Sequence, residues 1–391
     1  MNEAVIDVAI RQYKTPFYLF DSDQLTNRIK VLRDAFGSQV ELCYAMKANS
    51  FLIKELQDIV DYFEVCSPGE FHICERAGIE MSKIVMSGVY KKAEDIEYAL
   101  AQYGNQIIYT IESLSHWQII AEYALEHEMP VKVILRLTSG NQFGMDESIL
   151  RQLIEDRSKH TFLSIEGIQY FSGTQKKTVS KFEKELNMLI RLCSDLKEQY
   201  DFTVNKLEYG PGLPIYYFED EKDEEMNILS SFSELLKNLN FNGKISLEMG
   251  RFIAAPCGSY VTTVVDSKEN KKQSYCIVDG GINHMNYYGQ MLAMKKPPLI
   301  HWNKREGSVR EWTICGSLCT ANDVLVKQYP FEELQVGDKL IFNKTGAYSV
   351  TEGISLFLSR QLPQVILYSE KKGYQLARNN FSTDSLNYFS N

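Results

Sequence analysis

The chain has 391 residues, of which 44% are hydrophobic and 24% are charged, so it is long enough for one large domain and a smaller second one. Its 42 basic and 51 acidic side chains give a formal net charge of −9, which argues against the basic surface of a nucleic-acid-binding protein. The first residues, MNEAVIDVAIRQYK, carry early acids and no long apolar run. No segment approaches the ~18 apolar residues of a membrane helix. We therefore expect a cytoplasmic protein that binds neither nucleic acid nor membrane.

The eight cysteines are scattered along the chain rather than framed at disulfide spacings, which is typical of reduced thiols. Cys315 and Cys319 are the most closely spaced pair. A structural zinc site needs four ligands, and this pair has neither a second cysteine pair nor a nearby histidine. We therefore predict no metal site.

The first predicted element is a strand in TPFYLFD, after which strand and helix patterns alternate. Segments such as AEDIEYALAQY have helical spacing and lie between short β-branched or aromatic runs. These runs occur at residues 40–47, 62–66, 83–88, 106–112, 131–137, 165–171, 206–210 and 244–250. The alternation predicts an α/β protein with a (β/α)8 barrel. A doubly wound open sheet is the alternative, because periodicity alone does not show whether the sheet closes.

The pattern changes after about residue 258, where strands follow one another without intervening helices. They read SYVTTVVDS, SYCIVDGG, EWTICGS, KLIFNK and PQVILYS, and turn clusters such as SKENKK separate them. This pattern predicts a mostly β domain. We assign residues 23–257 to the barrel, and 1–22 together with 258–391 to the β-domain.

Charged residues end several of the predicted barrel strands, at the face where barrels carry their function. Lys47 ends the first strand, and a buried ammonium there costs several kcal/mol unless it is paired. Forming an imine with a carbonyl compound is one way to avoid that cost. Alone, Lys47 could equally be a surface lysine just beyond a misplaced strand boundary.

The last two barrel strands end in residues suited to a phosphorylated ligand. Gly210-Pro211-Gly212 follows the seventh strand, where glycines let backbone N–H groups approach a phosphate, although most such turns only reverse the chain. Glu248 and Arg251 follow three residues apart at the eighth strand. A carboxylate can hold a protonated ring nitrogen and a guanidinium can bind a phosphate, although an exposed ion pair is the simpler interpretation.

In this order and spacing the motifs resemble the fold-type III pyridoxal-phosphate decarboxylases, the family of diaminopimelate and ornithine decarboxylases. The matching segments run across nearly the whole chain: TPFYLFD, YAMKAN, EVCSPGE, QFGM, FSGTQ, EYGPG, EMGRF, CGSLCTANDVL and GAYS. The resemblance implies a barrel plus a β-domain, pyridoxal 5'-phosphate as cofactor, and a homodimer with active sites at the subunit interface.

Position by position, the resemblance also implies roles for single residues. Lys47 would hold the cofactor as a Schiff base and Glu248 would pair with its ring nitrogen. Cys319, from the partner subunit, would supply the proton that replaces carbon dioxide. The cofactor phosphate would be surrounded by Thr174, Gly210, Gly212, Arg251 and Tyr348. A carboxylate at the ring nitrogen suits a cofactor that accepts electrons.

Three positions depart from the family pattern. Phe171 stands where the family has a histidine stacked on the cofactor; it can stack but cannot carry a proton. Thr320 follows Cys319, where enzymes that hold a distal amine commonly have an acid. The segment GGINHMNYYGQMLAMKKPP lacks the substrate-binding arginine of diaminopimelate decarboxylases. We predict His284, Thr320 and Asp323 as substrate contacts.

These departures disfavour free diaminopimelate, lysine or ornithine, because a buried charge without a partner is costly. They are similar to the butirosin-pathway subgroup, which decarboxylates glutamate on an acyl-carrier protein, and to siderophore-pathway decarboxylases. We therefore expect a natural-product decarboxylase of a derivatised or carrier-bound amino acid. A diaminopimelate-, ornithine- or lysine-type decarboxylase is the first alternative. A racemase, which typically has arginine at the ring nitrogen, and a catalytically idle cofactor-binding regulator are the others.

Overall fold

The structure is a computed structural model that describes residues 2–304 and 306–389. Its contacts divide the chain into two compact units. The barrel unit comprises Ile29–Pro214 and Glu224–Phe252, and the β unit comprises the described residues within 1–28, 215–223 and 253–391. Each unit is described by itself below.

The strands are numbered in chain order. They are β1 (Phe17–Asp21), β2 (Val40–Ala45), β3 (Tyr62–Val65), β4 (Ile84–Met86), β5 (Ile108–Ile111), β6 (Val131–Leu137), β7 (Leu163–Phe171), β8 (Lys206–Gly210), β9 (Lys244–Met249), β10 (Gly258–Asn270), β11 (Gln273–Val278), β12 (Leu299–His301), β13 (Arg310–Cys315), β14 (Val324–Phe331), β15 (Lys339–Asn343), β16 (Gln364–Ser369) and β17 (Gly373–Arg378).

The α-helices are numbered in the same way. They are α1 (Glu3–Gln12), α2 (Ser22–Phe36), α3 (Ile53–Leu56), α4 (Pro68–Ala77), α5 (Ala93–Tyr103), α6 (Leu114–Glu126), α7 (Glu147–Glu155), α8 (Val179–Tyr200), α9 (Glu225–Lys237) and α10 (Arg251–Ala254). Among the described residues, none of the helices combines the length and the apolar character needed to cross a lipid bilayer.

Strands β2 to β9 close into a parallel barrel. The closure is the pairing of β2 with β9, in which Cys43 lies opposite Glu248. The strands are buried and rich in valine, isoleucine and leucine, as parallel strands covered by helices on the outside require. The closed barrel confirms the predicted (β/α)8 fold and rules out the open sheet.

Local sequence signals set the ends of the barrel helices. Helix α4, for example, begins after Ser67, whose hydroxyl accepts a hydrogen bond from the backbone N–H of Glu70, and it has Pro68 in its first turn. It ends at Gly78, which has a left-handed conformation. Such short helical returns bring the carboxyl end of each strand to the same rim of the barrel.

The β unit is built on one sheet with the strand order β14-β13-β11-β10-β1-β16-β17, and β15 pairs with both β10 and β12. Strand β1 is central: it runs antiparallel to β10 and parallel to β16. Helix α1 packs Val5 and Ile6 into the core formed by Phe17, Val261 and Ile366. This mostly β unit confirms the second part of the predicted fold class.

Candidate active site

Lys47 lies in a short 3-10 turn, Met46–Ala48, directly after β2. Its ammonium Nζ is 2.5 Å from Glu64 Oε2 on β3 and 3.5 Å from Glu248 Oε1 on β9. Both carboxylates are almost wholly buried, whereas the lysine side chain is 40% exposed. The amine is therefore reached from solvent but held by two acids from the barrel interior.

The two acids differ in protonation because their surroundings differ. Burial alone would raise the pKa of Glu64, but the adjacent Lys47 ammonium outweighs it and lowers that pKa to about 2. Burial, reinforced by the Glu64 charge, raises the pKa of Glu248 to about 8. Glu64 thus carries the negative charge that pairs with lysine, and Glu248 can hold a proton at neutral pH.

A further buried polar pair lies next to Glu248. The amide Nε2 of Gln169, on β7, donates to Glu208 Oε1 at 2.6 Å and to Glu248 Oε2 at 3.4 Å. Burial raises the pKa of Glu208 to about 7, and the Glu64 charge contributes to the increase. Within the described part of the chain, Gln169 Oε1, Glu208 Oε2 and the hydroxyl of Ser246 have no hydrogen-bond partner. These three residues are directly opposite one another on β7, β8 and β9.

Charges at the ends of β5 and β6 form a separate buried cluster. Arg136 Nη1 donates to Glu112 Oε2 at 3.0 Å, and the Lys91 ammonium is 3.8 Å from Glu112 Oε1. Burial lowers the pKa of Lys91 to about 8. The barrel unit therefore also contains a lysine, Lys91, whose side chain is buried, and it offers a comparison for the partly exposed Lys47.

The segments after β7 and β8 form a cradle that has no room for extra side chains. A Cβ atom on Gly210 would lie 2.5 Å from the ring of Phe171. Gly212 has φ +62°, and a Cβ there would lie 2.1 Å from the carbonyl oxygen of Gly173 and 3.0 Å from Thr174 Cα. Small residues are therefore required here, and the two loops are held in close contact.

Arg251 begins α10 directly after β9 and is 8% exposed. The preceding Gly250 lies against the turn that carries Lys47, because a Cβ on Gly250 would be 2.8 Å from Ala48 Cβ. The backbone that leads into Arg251 is thus packed directly on the Lys47 turn.

In the β unit, Cys319 is exposed in the loop between β13 and β14. Asp323 fixes this loop: its carboxylate accepts the backbone N–H groups of Leu318 at 2.7 Å and Ile282 at 2.9 Å. The N–H of Thr320 donates to the carbonyl of Leu318, and its hydroxyl accepts from Asn322. Within this unit Asp323 supports the loop that displays Cys319.

His284 and Tyr348, both in the β unit, are in different surroundings. His284 is buried, with Nδ1 3.0 Å from the Tyr260 hydroxyl and Nε2 2.8 Å from the Gln361 carbonyl oxygen. Burial lowers its pKa to about 4, so the ring is neutral near pH 7. Both of its ring nitrogens are engaged inside the β unit. Tyr348 is half-buried with φ +66°, and its carbonyl accepts the N–H groups of Thr351 and Glu352.

Residues 22–255 match the model of the pyridoxal-dependent decarboxylases, pyridoxal-binding domain. The chain belongs to this family. It is accordingly a pyridoxal-phosphate-dependent decarboxylase, a carboxy-lyase, as the sequence predicted.

Curated relatives of the decarboxylase differ in what they act on. L-glutamyl-[BtrI acyl-carrier protein] decarboxylase of Niallia circulans is 27% identical over 99% of this chain and 96% of its own length. Diaminopimelate decarboxylase of Campylobacter jejuni is 25% identical over 86% and 87%. 2-[(L-alanin-3-ylcarbamoyl)methyl]-2-hydroxybutanedioate decarboxylase of Staphylococcus aureus is 24% identical over 91% and 94%.

Among solved structures, diaminopimelate decarboxylase of M. jannaschii has the same fold, with a TM-score of 0.86. It is 24% identical, and the match covers 97% of this chain and 93% of that one. The similarity extends over both units of the decarboxylase.

The barrel unit of the decarboxylase has the groups that pyridoxal phosphate needs. Lys47 is an accessible amine, and Glu248 is a buried acid within 3.5 Å of it. Gly212 packs closely on Gly173 and Thr174 and holds together the loops after β7 and β8, whose backbone N–H groups could donate to a phosphate. The donor set therefore fits this cofactor.

The structure brings together Lys47 with Glu248, Phe171 with Gly210, and Thr174 with Gly212. Sequence reasoning missed Glu64, which pairs with Lys47, and Glu208, which Gln169 links to Glu248. The sequence contained a signal for both: Glu64 lies inside the apolar run YFEVC, and Glu208 lies inside KLEYG. Burying an acid in such a strand is costly unless the barrel interior offers polar partners, so these glutamates indicated a polar interior.

Proposed function

We propose that this decarboxylase acts on an amino acid whose distal end is conjugated, for example to a carrier protein, in a natural-product pathway. The observation that carries the proposal is that the sequence lacks two groups with which members of the family bind a free distal charge. Residues 280–298 contain no arginine, and Thr320 follows Cys319 where an acid would hold a distal amine. A conjugated side chain has no such charge to neutralise.

Two relatives support this substrate class by name. The Niallia circulans enzyme is named for L-glutamyl-acyl-carrier protein, and the Staphylococcus aureus enzyme for an alanine joined through a carbamoyl group to a hydroxybutanedioate. The match to the Niallia enzyme extends over nearly the whole of both chains. A diaminopimelate-type activity is the second candidate, because diaminopimelate decarboxylases are also similar over 86% of the chain.

The barrel residues are proposed to hold the cofactor and control its charge. When bound, pyridoxal phosphate withdraws electrons from the carbon that loses carbon dioxide. Lys47 would leave its ion pair with Glu64 and its contact with Glu248 and bind the cofactor covalently. Glu248 would then share a proton with the ring nitrogen, because its raised pKa lets the carboxyl group carry one near neutral pH. Phe171 would pack against the ring and exclude water.

The phosphate would be bound at the ends of the last barrel strands. Backbone N–H groups at Gly210 and Gly212 and the hydroxyl of Thr174 would donate to it. Arg251 would add a charge-assisted hydrogen bond, and Tyr348 of the β-domain would contribute its hydroxyl.

The proton that replaces carbon dioxide would come from Cys319 Sγ, supplied by the partner subunit of a homodimer.

We also propose that the enzyme works in the cytoplasm, since its eight cysteines are free thiols. The sequence predicts Thr320, His284 and Asp323 as substrate contacts. Of these we keep Thr320, because His284 and Asp323 are hydrogen-bonded inside the β unit.

The substrate class is tested by incubating the cofactor-loaded enzyme with L-glutamate, with diaminopimelate and with L-glutamate bound as a thioester to an acyl-carrier protein. Mass spectrometry then detects loss of carbon dioxide. We expect turnover of the thioester at least on the order of 100-fold faster than of the free amino acids, because the site rejects an unpaired charge. Faster turnover of free diaminopimelate would establish the second candidate instead.

A further inference from the structure

The loop after β7 and the start of α8 carry an unusual concentration of positive charge. Residues 172–184 read SGTQKKTVSKFEK, with four lysines and a single glutamate, in a chain whose net charge is −9. Lys177, Lys181 and Lys184 are exposed. We call these three lysines the basic rim.

An open cavity of about 590 Å³ lies beside the basic rim, and Lys181 and Lys184 line it. Its remaining charges compensate each other: the buried Lys176 ammonium is 2.7 Å from Glu185, which also accepts from the hydroxyls of Ser172 and Tyr209. Lys181 and Lys184 are therefore the excess charge at the cavity. The half-exposed Met188 adds an apolar contact on the same side of α8.

The cavity is next to the cofactor cradle. Gly173 and Thr174 line it, and the same two residues pack against Gly212 on their other side. The N–H of Lys176 fixes this arrangement by donating to the Gly212 carbonyl at 2.9 Å. The loop stands at the carboxyl end of β7, the rim of the barrel on which Lys47 also lies.

We propose that the basic rim docks an acidic carrier protein, which delivers the amino acid on an extended arm attached through a phosphodiester. This inference rests on the proposed function. An enzyme with a net charge of −9 repels an acidic partner over most of its surface, so association depends on a local region of opposite charge. The basic rim provides it beside the cavity, which can take the start of the arm.

The experiment compares a charge-reversed variant with a matched control. Lys181→Glu/Lys184→Glu reverses two charges of the basic rim. Lys30→Glu/Lys54→Glu changes the net charge equally at exposed lysines on α2 and α3. Each holoenzyme is assayed with L-glutamyl thioester on an acyl-carrier protein and with the same thioester on free pantetheine.

We expect Lys181→Glu/Lys184→Glu to lower kcat/KM for the carrier-bound thioester by on the order of tenfold or more, mostly through KM. The rate with the pantetheine thioester should be unchanged, and the control variant should match the wild type with both. Added salt should reduce the difference between the variants.

Other results overturn the inference in distinguishable ways. Equal losses with both thioesters, or a loss no greater than in the control, would remove the basic rim from carrier recognition and leave the proposed function standing. If neither thioester is decarboxylated but free diaminopimelate is, the proposed function fails and the docking inference fails with it.

Discussion

The side-chain amide of Gln169 lies between two buried carboxyl groups, 2.6 Å from Glu208 and 3.4 Å from Glu248. A donor between two acids lowers the cost of a negative charge on either of them. The hydrogen bond from Gln169 lowers the pKa of Glu208, opposing the larger effect of burial. Gln169 also contacts Glu248, so we expect it to position this acid, which we place at the cofactor's ring nitrogen.

Gln169→Leu should therefore raise the pH at which the bound cofactor changes its absorbance, by about one unit. Gln169→His, which restores an N–H donor, should bring the transition back toward that of the wild type. Ser246→Ala is the control, since its hydroxyl is buried in the same layer without a partner among the described residues. A titration curve that is the same in all four proteins would contradict this role.

Replacing Glu208 should change how stability depends on pH. The pKa of Glu208 is about 7 in the folded protein and about 4.5 in the unfolded chain. Between these two pH values Glu208 is protonated in the folded state and ionised in the unfolded state. The free energy of unfolding therefore falls as pH rises through this window. Glu208→Gln removes the dependence and should make the cofactor-free protein about 2–3 kcal/mol more stable than wild type near pH 8, but not near pH 5.

Urea unfolding of the cofactor-free protein at the two pH values measures this difference. Glu198→Gln, at an exposed position on α8, is the control and should leave both midpoints unchanged. A Glu208→Gln protein with the same advantage at both pH values would show that the effect does not come from titration.

Borohydride reduction of the cofactor-loaded enzyme should attach the cofactor permanently to Lys47. The barrel unit also contains Lys91, whose buried ammonium lies 3.8 Å from Glu112 and donates to the carbonyl of Gly88. Peptide mapping by mass spectrometry distinguishes the two. We expect the label on Lys47 alone and no absorbance band in Lys47→Ala; a label on Lys91 would relocate the site.

Gly212→Ala should weaken cofactor binding on the order of tenfold or more, because the new Cβ would lie 2.1 Å from the Gly173 carbonyl and would push apart the two loops that we propose bind the phosphate. Gly37→Ala is a matched control, since Gly37 also has a positive φ, +77°, but has no atom within 4 Å of an added Cβ. Both variants place an alanine at a positive φ and so strain the backbone. Only the Gly212→Ala side chain collides with the loop after β7. Fluorescence titration with pyridoxal phosphate measures the affinities, and equal losses would argue against a phosphate site at Gly212.

Cys319→Ala should lower decarboxylation on the order of 100-fold or more while leaving cofactor absorbance intact, because it removes only the proton donor. Cys315→Ala, four residues earlier and half-buried, should have little effect on the rate. Mixing Cys319→Ala with Lys47→Ala offers a separate test: recovery of part of the activity would indicate that the two residues act from different subunits. Unchanged turnover in Cys319→Ala would exclude this cysteine from the reaction.

The barrel was predictable because its strands are short apolar runs at regular spacing, and each run gives a strand with nearly the same limits. Lys47 and Glu248 could be chosen from their places at strand ends and from the family motifs. The roles of Glu64 and Gln169 could not, because they depend on which strands become neighbours when the barrel closes. That pairing is set by tertiary contacts between distant segments and leaves no local pattern.

The β unit was less predictable. Strands β12, β14 and β17 and helix α1 were not identified. Strand β12 has only three residues, and β14 contains Pro330 and a positive φ at Gln328, which weaken its local strand pattern. Asp323 was assigned to the substrate from its place near Cys319. Its carboxylate instead accepts two backbone N–H groups, which a sequence pattern does not reveal.

Strand β1 lies between β10 and β16 and hydrogen-bonds to both. It is the first strand to be translated, but one of its two partners, β16 (Gln364–Ser369), is made only near the end of synthesis. All eight barrel strands, in contrast, are translated before residue 250. We expect the growing chain to form its barrel first. Until β16 is translated, the edge of β1 (Phe17–Asp21) that pairs with it has no hydrogen-bonding partner strand. Premature termination before Gln364 would leave that strand with an open hydrogen-bonding edge, and such products should aggregate or be degraded rather than accumulate as half-active enzyme.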